Sequence, residues 1–426
     1  MLANKSRLSL LCIASSIAFA MQGCGNIGDV GVALGGTGAA TSASNSTSSI
    51  TSNDTAITAV GPITGFGSVI VNGIKFDDSA ATVAKDASNI LISNLRLGMT
   101  IEVTGKRPLV AITSSTSVIS ATNATADVIR VFSELKGPVQ TVTAGSNKLM
   151  VLGISIAVDS STVFDGISGI NGIGAIKAGD SVEVYGFRNL STNEVTATRI
   201  EAQSAPATTT PVPVALKGSV AALDATLKTF TVNGQLVKYP NIIVTGNLAN
   251  AAMVEVKGTA PSSGGFVTAT SVSVATLSTP IEAQELVITG IVTDFVSRGQ
   301  FKVNGTIVDA SSANLSSGQI GLIANGIRCE VHGRVTQSIL RATQIECVAS
   351  GTSANTVYEI SGSITAISAS SGSSSSSNFT VRNQVIDASA ATFSNGTAST
   401  LALAKQVQVK GPVVGGILKA TTVNFQ

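Results

Sequence analysis

The sequence predicts an all-β protein made of five small five-stranded barrels in tandem, placed behind an export signal and a polar tether. Three observations carry this. The chain has 426 residues, of which 44% are hydrophobic but only 4% aromatic with no Trp, so small and β-branched residues fill the apolar quota and favour strands. A glycine landmark recurs from Gly61 onward at intervals of 72 to 81 residues, and a second glycine landmark recurs in step with it. A single core rarely outgrows ~250 residues, so a chain of this length divides into several.

The first segment reads as an address. Lys5 and Arg7 form a basic start, and Leu8 to Ala20 is an apolar run of signal-peptide length, shorter than the ~20 residues that a spanning helix needs. Two endings compete. Ala18-Phe19-Ala20 suits ordinary cleavage and a secreted soluble product. Met21-Gln22-Gly23-Cys24 resembles a lipobox, whose cysteine is lipidated and becomes the mature N-terminus.

Cysteine counting favours the second ending. With Cys12 removed, Cys24, Cys329 and Cys347 remain, an odd number for an exported protein, and lipidation of Cys24 leaves a pair. By resemblance to lipoproteins, Gly25 after the cysteine points to the outer membrane of a Gram-negative cell. The expected organisation is a signal peptide over 1–23 and a Gly/Ser/Thr-rich tether over 24–57, whose composition suits a flexible coil.

The repeats follow. Each opens with a glycine: Gly61-Pro62-Ile63, Gly137-Pro138-Val139, Gly218-Ser219-Val220, Gly290-Ile291-Val292 and Gly362-Ser363-Ile364. A later strand closes with TIEVTG at Gly105, SVEVYG at Gly186, MVEVKG at Gly258, RCEVHG at Gly333 and QVQVKG at Gly411. A third landmark trails it: ATRI from Ala197, ATSV from Ala269, ATQI from Ala342 and ATTV from Ala420, with a blurred version near Ala111 and Ile112 in the first repeat. The repeats span 58–132, 133–204, 214–277, 286–349 and 357–426, with a Pro-rich linker over 205–213.

Within a repeat, VIVNG (Val69 to Gly73), FTVNG (Phe230 to Gly234) and FKVNG (Phe301 to Gly305) each end a strand in Asn-Gly. Both central residues of a type I′ turn need positive φ, so the phrase predicts a hairpin between strands two and three. Leu152-Gly153 and Asn383-Gln384 are weaker turns in repeats two and five. Strand four alternates, as Val254 and Val256 face one way and Glu255 and Lys257 the other. Five short strands in about 60 residues suit a small closed barrel. The serine run Ser370 to Ser377 reads as a loop inside repeat five.

The run of opening glycine, VNG hairpin, V-E-V-x-G and A-T-x-I resembles a bacterial envelope repeat domain of OB-like (oligonucleotide/oligosaccharide-binding-like) barrel type, catalogued only as being of unknown function. The resemblance covers about residues 58 to 426. It implies fold and compartment and brings no catalytic residues.

Chemistry is sparse. His332 is the sole histidine, which rules out a His-based metal cluster or a Ser-His-Asp set, and its slot reads as an outward strand position. Asp77, Asp78 and Asp309 lie at or after third strands without an Asp-x-Asp-x-Asp-Gly loop, so no calcium site is expected. Glu102, Glu183, Glu255 and Glu330 read as solvent-facing residues of strand four, with cross-strand partners such as Arg199. No catalytic residue, cofactor or metal is expected. Charge is balanced, 26 basic against 24 acidic for a net +2, and there is no basic patch with interleaved aromatics, so nucleic acid is not an expected partner.

One pair stands out. Cys329 takes the inward slot of Ile101, Val182 and Val254, and Cys347 lies on the next strand, so a Cys329–Cys347 disulfide is expected, with two buried free thiols as the alternative. The favoured functional reading is a non-enzymatic envelope protein that acts as spacer, scaffold or adhesive surface. It would be held to the membrane by lipid at Cys24, with an envelope protein or glycan as partner. The alternative is a ligand- or glycan-binding module that uses the barrel loops. Linked barrels on Pro/Ser linkers would form an extended rod or a loosely packed arc.

Overall fold

The computed structural model describes residues 54–86, 88–108, 123–166, 172–203, 211–260, 265–274, 282, 284–315, 319, 321–348, 356–368 and 378–426. The signal segment, Cys24, Ala111 and Ile112, and the serine run lie outside the described residues. The described chain is strands joined by turns and four short 3₁₀ segments. Strands begin earlier than the repeat spacing suggests: the first starts at Thr55, and the third repeat's first strand starts at Val212, taking in Pro213 of the linker.

Repeat four shows the plan. Its five strands are Glu285–Ser297, Gln300–Val303, Thr306–Asp309, Arg328–Thr336 and Ile339–Val348. Strand one pairs with two and two with three, both antiparallel; three pairs with five in parallel; five returns to four and four to one, antiparallel. The circuit 1-2-3-5-4-1 is closed, as the OB-like reading requires. The same circuit closes in repeats one, two and three. It closes in repeat five with strands four and five each broken in two.

The landmark residues act as two steric devices. The first couples the opening glycine to the hairpin asparagine. Asn72, Asn233 and Asn304 have φ of 51°, 53° and 48°, and each following glycine also has positive φ, as a type I′ turn demands. Each asparagine folds back over strand one and donates Nδ2 to the carbonyl just before the opening glycine: Val60 at 3.0 Å, Lys217 at 2.8 Å and Thr289 at 2.8 Å. A Cβ on Gly61, Gly218 or Gly290 would overlap that amide. Repeat two puts the Leu152 side chain over Gly137 instead. In repeat five the turn sits one residue earlier than the sequence suggested, at Arg382–Asn383 with φ of 48° and 63°, and Arg382 Nε donates to Ser361 O at 3.2 Å. Arginine thus takes the place of asparagine there and bonds the corresponding carbonyl of strand one.

The second device is a bulge. Strand four shifts register against strand five at its closing glycine in repeats one to four. A Cβ on Gly105, Gly186, Gly258, Gly333 or Gly411 would overlap a strand-five carbonyl oxygen. The small alanine of the third landmark sits opposite, as Gly186 pairs with Ala197 and Gly333 with Ala342. In repeat one that place belongs to Ala126, opposite Gly105, so the fifth strand is Asn123–Val131 and the landmark is Ala126-Asp127-Val128-Ile129. The intervening residues 109–122 displaced it from the expected spacing.

Strand three is tied to strand five by charge in the last two repeats. Asp309 pairs with Arg341, and Asp387 with Lys419 at 2.9 Å. Lys419 and the Ser389 side chain and backbone N–H hold the Asp387 carboxyl at about 2, below its ordinary 3.8. A carboxyl with a depressed folded pKa contributes stability above its unfolded value, and that contribution is lost as pH falls through about 2. Asp387→Asn should therefore lower the unfolding midpoint slightly at neutral pH, with the difference from the parent vanishing at the acid end of that window. Paired urea titrations across pH would show it.

The repeats are not separate beads. Ile57–Val60 of repeat one runs in parallel register with Glu285–Ile288 of repeat four, and Gly65–Phe66 with Glu359–Ile360 of repeat five. Leu135 and Lys136 of repeat two pair antiparallel with Leu216 and Ala215 of repeat three. Apolar cores merge accordingly: one is built mainly from repeats one and five and takes in Val163 and Tyr185 of repeat two and Val287 of repeat four, a second spans two and three, and a third lies in repeat four with Val60 of repeat one packed against it. The expected rod or loose arc is replaced by repeats hydrogen-bonded edge to edge, because the first half of strand one still has a free ladder edge after its own barrel has closed.

Candidate functional site

Where repeats one and two meet, residues expected to face solvent are buried. Tyr185 is 0% exposed, Glu183 4% and Arg199 1%. Lys85 of repeat one donates to the Tyr185 hydroxyl at 2.7 Å and pairs with Glu183 at 2.8 Å. Burial and the neighbouring Glu183 push the Tyr185 phenol far above its ordinary range. Arg199 donates to Leu97 O at 3.1 Å and pairs with Asp165 and Glu201. Thr198 donates to Gly98 O at 2.7 Å. The alternation of strand four is as read from the sequence, but in repeat two its outward face meets another repeat. His332 likewise is half-buried, its Nε2 2.7 Å from Glu330 Oε1.

A cavity of about 220 Å³ lies where repeats one, two, four and five converge. Repeat one supplies Pro62, Thr64 and the Asn72-Gly73 turn; repeat two supplies Ser161, Phe187 and Thr198. Repeat four adds Thr289, Arg328, Glu330, Glu346 and Val348, and repeat five adds Thr356 and Tyr358. Asn72 reaches beyond its own barrel, donating to Val287 O at 3.3 Å and accepting from Thr289 Oγ at 2.9 Å. The Tyr358 hydroxyl donates to Ser161 O at 3.0 Å, which ties repeat five to repeat two, and burial raises its pKa. Arg328 stands 3.9 Å from Asp159 of repeat two. A wider groove of about 1040 Å³ on repeat four, lined by Glu285, His332, Arg334 and Gln344, shares Glu346 with the cavity.

Cys329 and Cys347 form a disulfide across strands four and five of repeat four, with Cα atoms 4.0 Å apart. They replace the apolar pairs Ile101–Val131 and Val254–Val274 of other repeats. The same strand pair forms one wall of the cavity. Arg328 and Glu330 flank Cys329, while Glu346 and Val348 flank Cys347, with Arg328 opposite Val348 and Glu330 opposite Glu346. Reduction should cost about 3 kcal/mol for a loop of this size. Chemical denaturation with and without reductant measures that loss, and thiol titration of the denatured, unreduced protein should find neither cysteine.

Five stretches of the chain, residues 56–108, 136–201, 217–273, 289–346 and 361–424, match the domain of unknown function DUF5666. The chain belongs to the DUF5666 family. The first DUF5666 match stops before the fifth strand of repeat one, since residues 109–122 separate that strand from the rest. The other four take in all or most of strand five. No curated protein and no solved structure matches the chain.

Of the site residues expected from sequence, Cys329 and Cys347 are joined and Cys24 lies outside the described residues. The lining of the cavity was missed. Its residues are far apart in sequence and belong to four DUF5666 repeats, so spacing within one repeat carries no signal for it. For the junction of repeats one and two the legible hint was departure from the repeat pattern, as Tyr185 fills a slot held elsewhere by Thr104, Lys257, His332 and Lys410. Among the described residues no group of three or more His, Cys, Asp or Glu is placed to hold a metal ion.

Proposed function

We propose that this DUF5666 protein is a non-enzymatic cell-envelope lipoprotein whose barrels act jointly as an interaction scaffold. It is anchored to the outer membrane through lipid on Cys24. The observation that carries the reading is the ladder pairing between repeats, of one with four and five and of two with three. A spacer needs length and tolerates independent beads, whereas shared hydrogen bonds and merged cores fix the repeats as one surface for a partner. An envelope protein is the favoured partner.

Two experiments test this. Palmitate labelling of the intact chain should be abolished by Cys24→Ala. Cross-linking in intact cells should capture a partner with the parent protein and lose it when the repeat one–two junction is broken by Arg199→Ala. Failure to capture any partner, together with saturable binding of an envelope glycan, would favour the second reading, a glycan-binding module. The inter-repeat cavity gives that second reading its support.

A further inference from the structure

We propose that the cavity between repeats one, two, four and five binds a small zwitterion, an α-amino acid or a dipeptide, with its carboxylate on Arg328 and its ammonium group between Glu330 and Glu346. This goes beyond the scaffold reading and does not depend on it: ligand binding is measured on isolated protein, partner capture in cells.

The donors come first. A guanidinium carries five N–H donors in a planar fork. The Arg328 side chain is only 14% exposed, and its nearest carboxylate, on Asp159, is 3.9 Å away, beyond hydrogen-bond reach. Among the described residues none of its side-chain donors meets an acceptor at bonding distance, and it lines the cavity. A ligand carboxylate would satisfy two of those donors at once, the geometry in which arginine binds carboxylates best.

The acceptors lie beside it. Glu330 and Glu346 are directly opposite in the antiparallel pair, and like charges in that relation repel. Glu330 has His332 and Thr289 as neighbours, but Glu346 has no hydrogen-bond or ion-pair partner among the described residues. Glu346 is exposed, and an ammonium group seated between the two carboxylates removes the repulsion. Arg328 and Glu346 are diagonal neighbours across the strands, about 7 Å apart at Cβ, and both side chains are long enough to converge on one small molecule.

Shape agrees with charge. About 220 Å³ has room for an amino acid or a dipeptide and little more, and Phe187, Tyr358 and Val348 offer apolar surface between the charged groups. The wall that carries all three charges is pinned by the Cys329–Cys347 bond in its middle, so little order remains to be gained on binding.

Calorimetry on the full-length protein with the twenty free amino acids and L-alanyl-L-alanine tests this. At least one should bind saturably, and N-acetylation or C-terminal amidation of that compound should each weaken binding tenfold or more. Arg328→Gln should make the acid and its amide bind alike, and Glu346→Gln should do the same for the amine and its acetylated form. No saturable binding by any compound, or equal binding by capped and free forms, would overturn the proposal. The capped compounds need no variant, so a variant that misfolds leaves the test intact.

Discussion

Replacing Arg199 with alanine should cost about 3 kcal/mol and split the unfolding transition of the protein. Arg199 is 1% exposed and is among the largest fully buried side chains described. Its loss has two parts. Truncating a buried side chain of this size leaves a cavity, which typically costs ~2–5 kcal/mol. It also orphans the Leu97 carbonyl of repeat one, about 1–3 kcal/mol for a buried acceptor. Against this, Asp165 and Glu201 are 48% and 30% exposed and regain water, and desolvation of the lost charge is refunded, so the net falls near the lower end.

Arg199→Met separates the parts. It fills the volume and leaves Leu97 unpaired, so it should recover about half of the loss. Denaturant titration read by circular dichroism gives both values. An unchanged midpoint for Arg199→Ala would mean that repeats one and two are not coupled through this residue.

Gly258→Ala should be comparably severe, about 3 kcal/mol, although it adds a single methyl group. Gly258 lies at the bulge of repeat three, where Lys257 and Gly258 face Ser271 and Ala269 of strand five. A Cβ there would overlap Thr268 O and crowd the Ala269 Cα at 2.9 Å. Backbone cannot swing aside as a long side chain can, so either the ladder parts or the bulge is lost, and overpacking of this kind costs ~1–3 kcal/mol or more. Gly234→Ala is the control. It has φ of 81° and nothing within 4 Å of its Cβ, so only the left-handed conformation is penalised, by about 1 kcal/mol. Gly258 has no positive φ, so an effect there no larger than at Gly234 would show that the strand-five carbonyl does not exclude a side chain at the closing glycine. The same contrast is available in repeat four with Gly333 and Gly305.

These two predictions differ in what made them visible. Gly258 was marked by the recurrence of a glycine in every fourth strand, which in repeat three runs on past it to Ala260, and Gly234 by the Asn-Gly phrase, so the sequence identified both positions as turn or core devices. It did not distinguish them. Which glycine guards against a collision, and which supplies a backbone angle, depends on the neighbour that folding brings to the Cβ: a carbonyl of strand five in one case, open space in the other. The asparagine shows the same limit. Its turn was legible, but its second role, folding over the opening glycine to bond strand one, requires the distance between strands one and two.

The sequence by itself determined the repeated unit. Alternation, turn chemistry and small residues at fixed places are local properties, and they suffice to specify one five-stranded barrel and to copy it. Cys329 and Cys347 belong to this class, since they lie on adjacent strands of one hairpin and replace an inward apolar pair. Only the tertiary structure decided how the barrels meet. Arg199, Tyr185 and Glu183 have outward places within their own repeat, and the contact with repeat one is what buries them. Arg328, Glu346, Phe187 and Tyr358 acquire a common cavity for the same reason. Contacts between barrels join residues separated by up to several hundred positions, and they rest on which edge of strand one remains open after closure, a property of the assembled barrel that no single stretch of chain expresses.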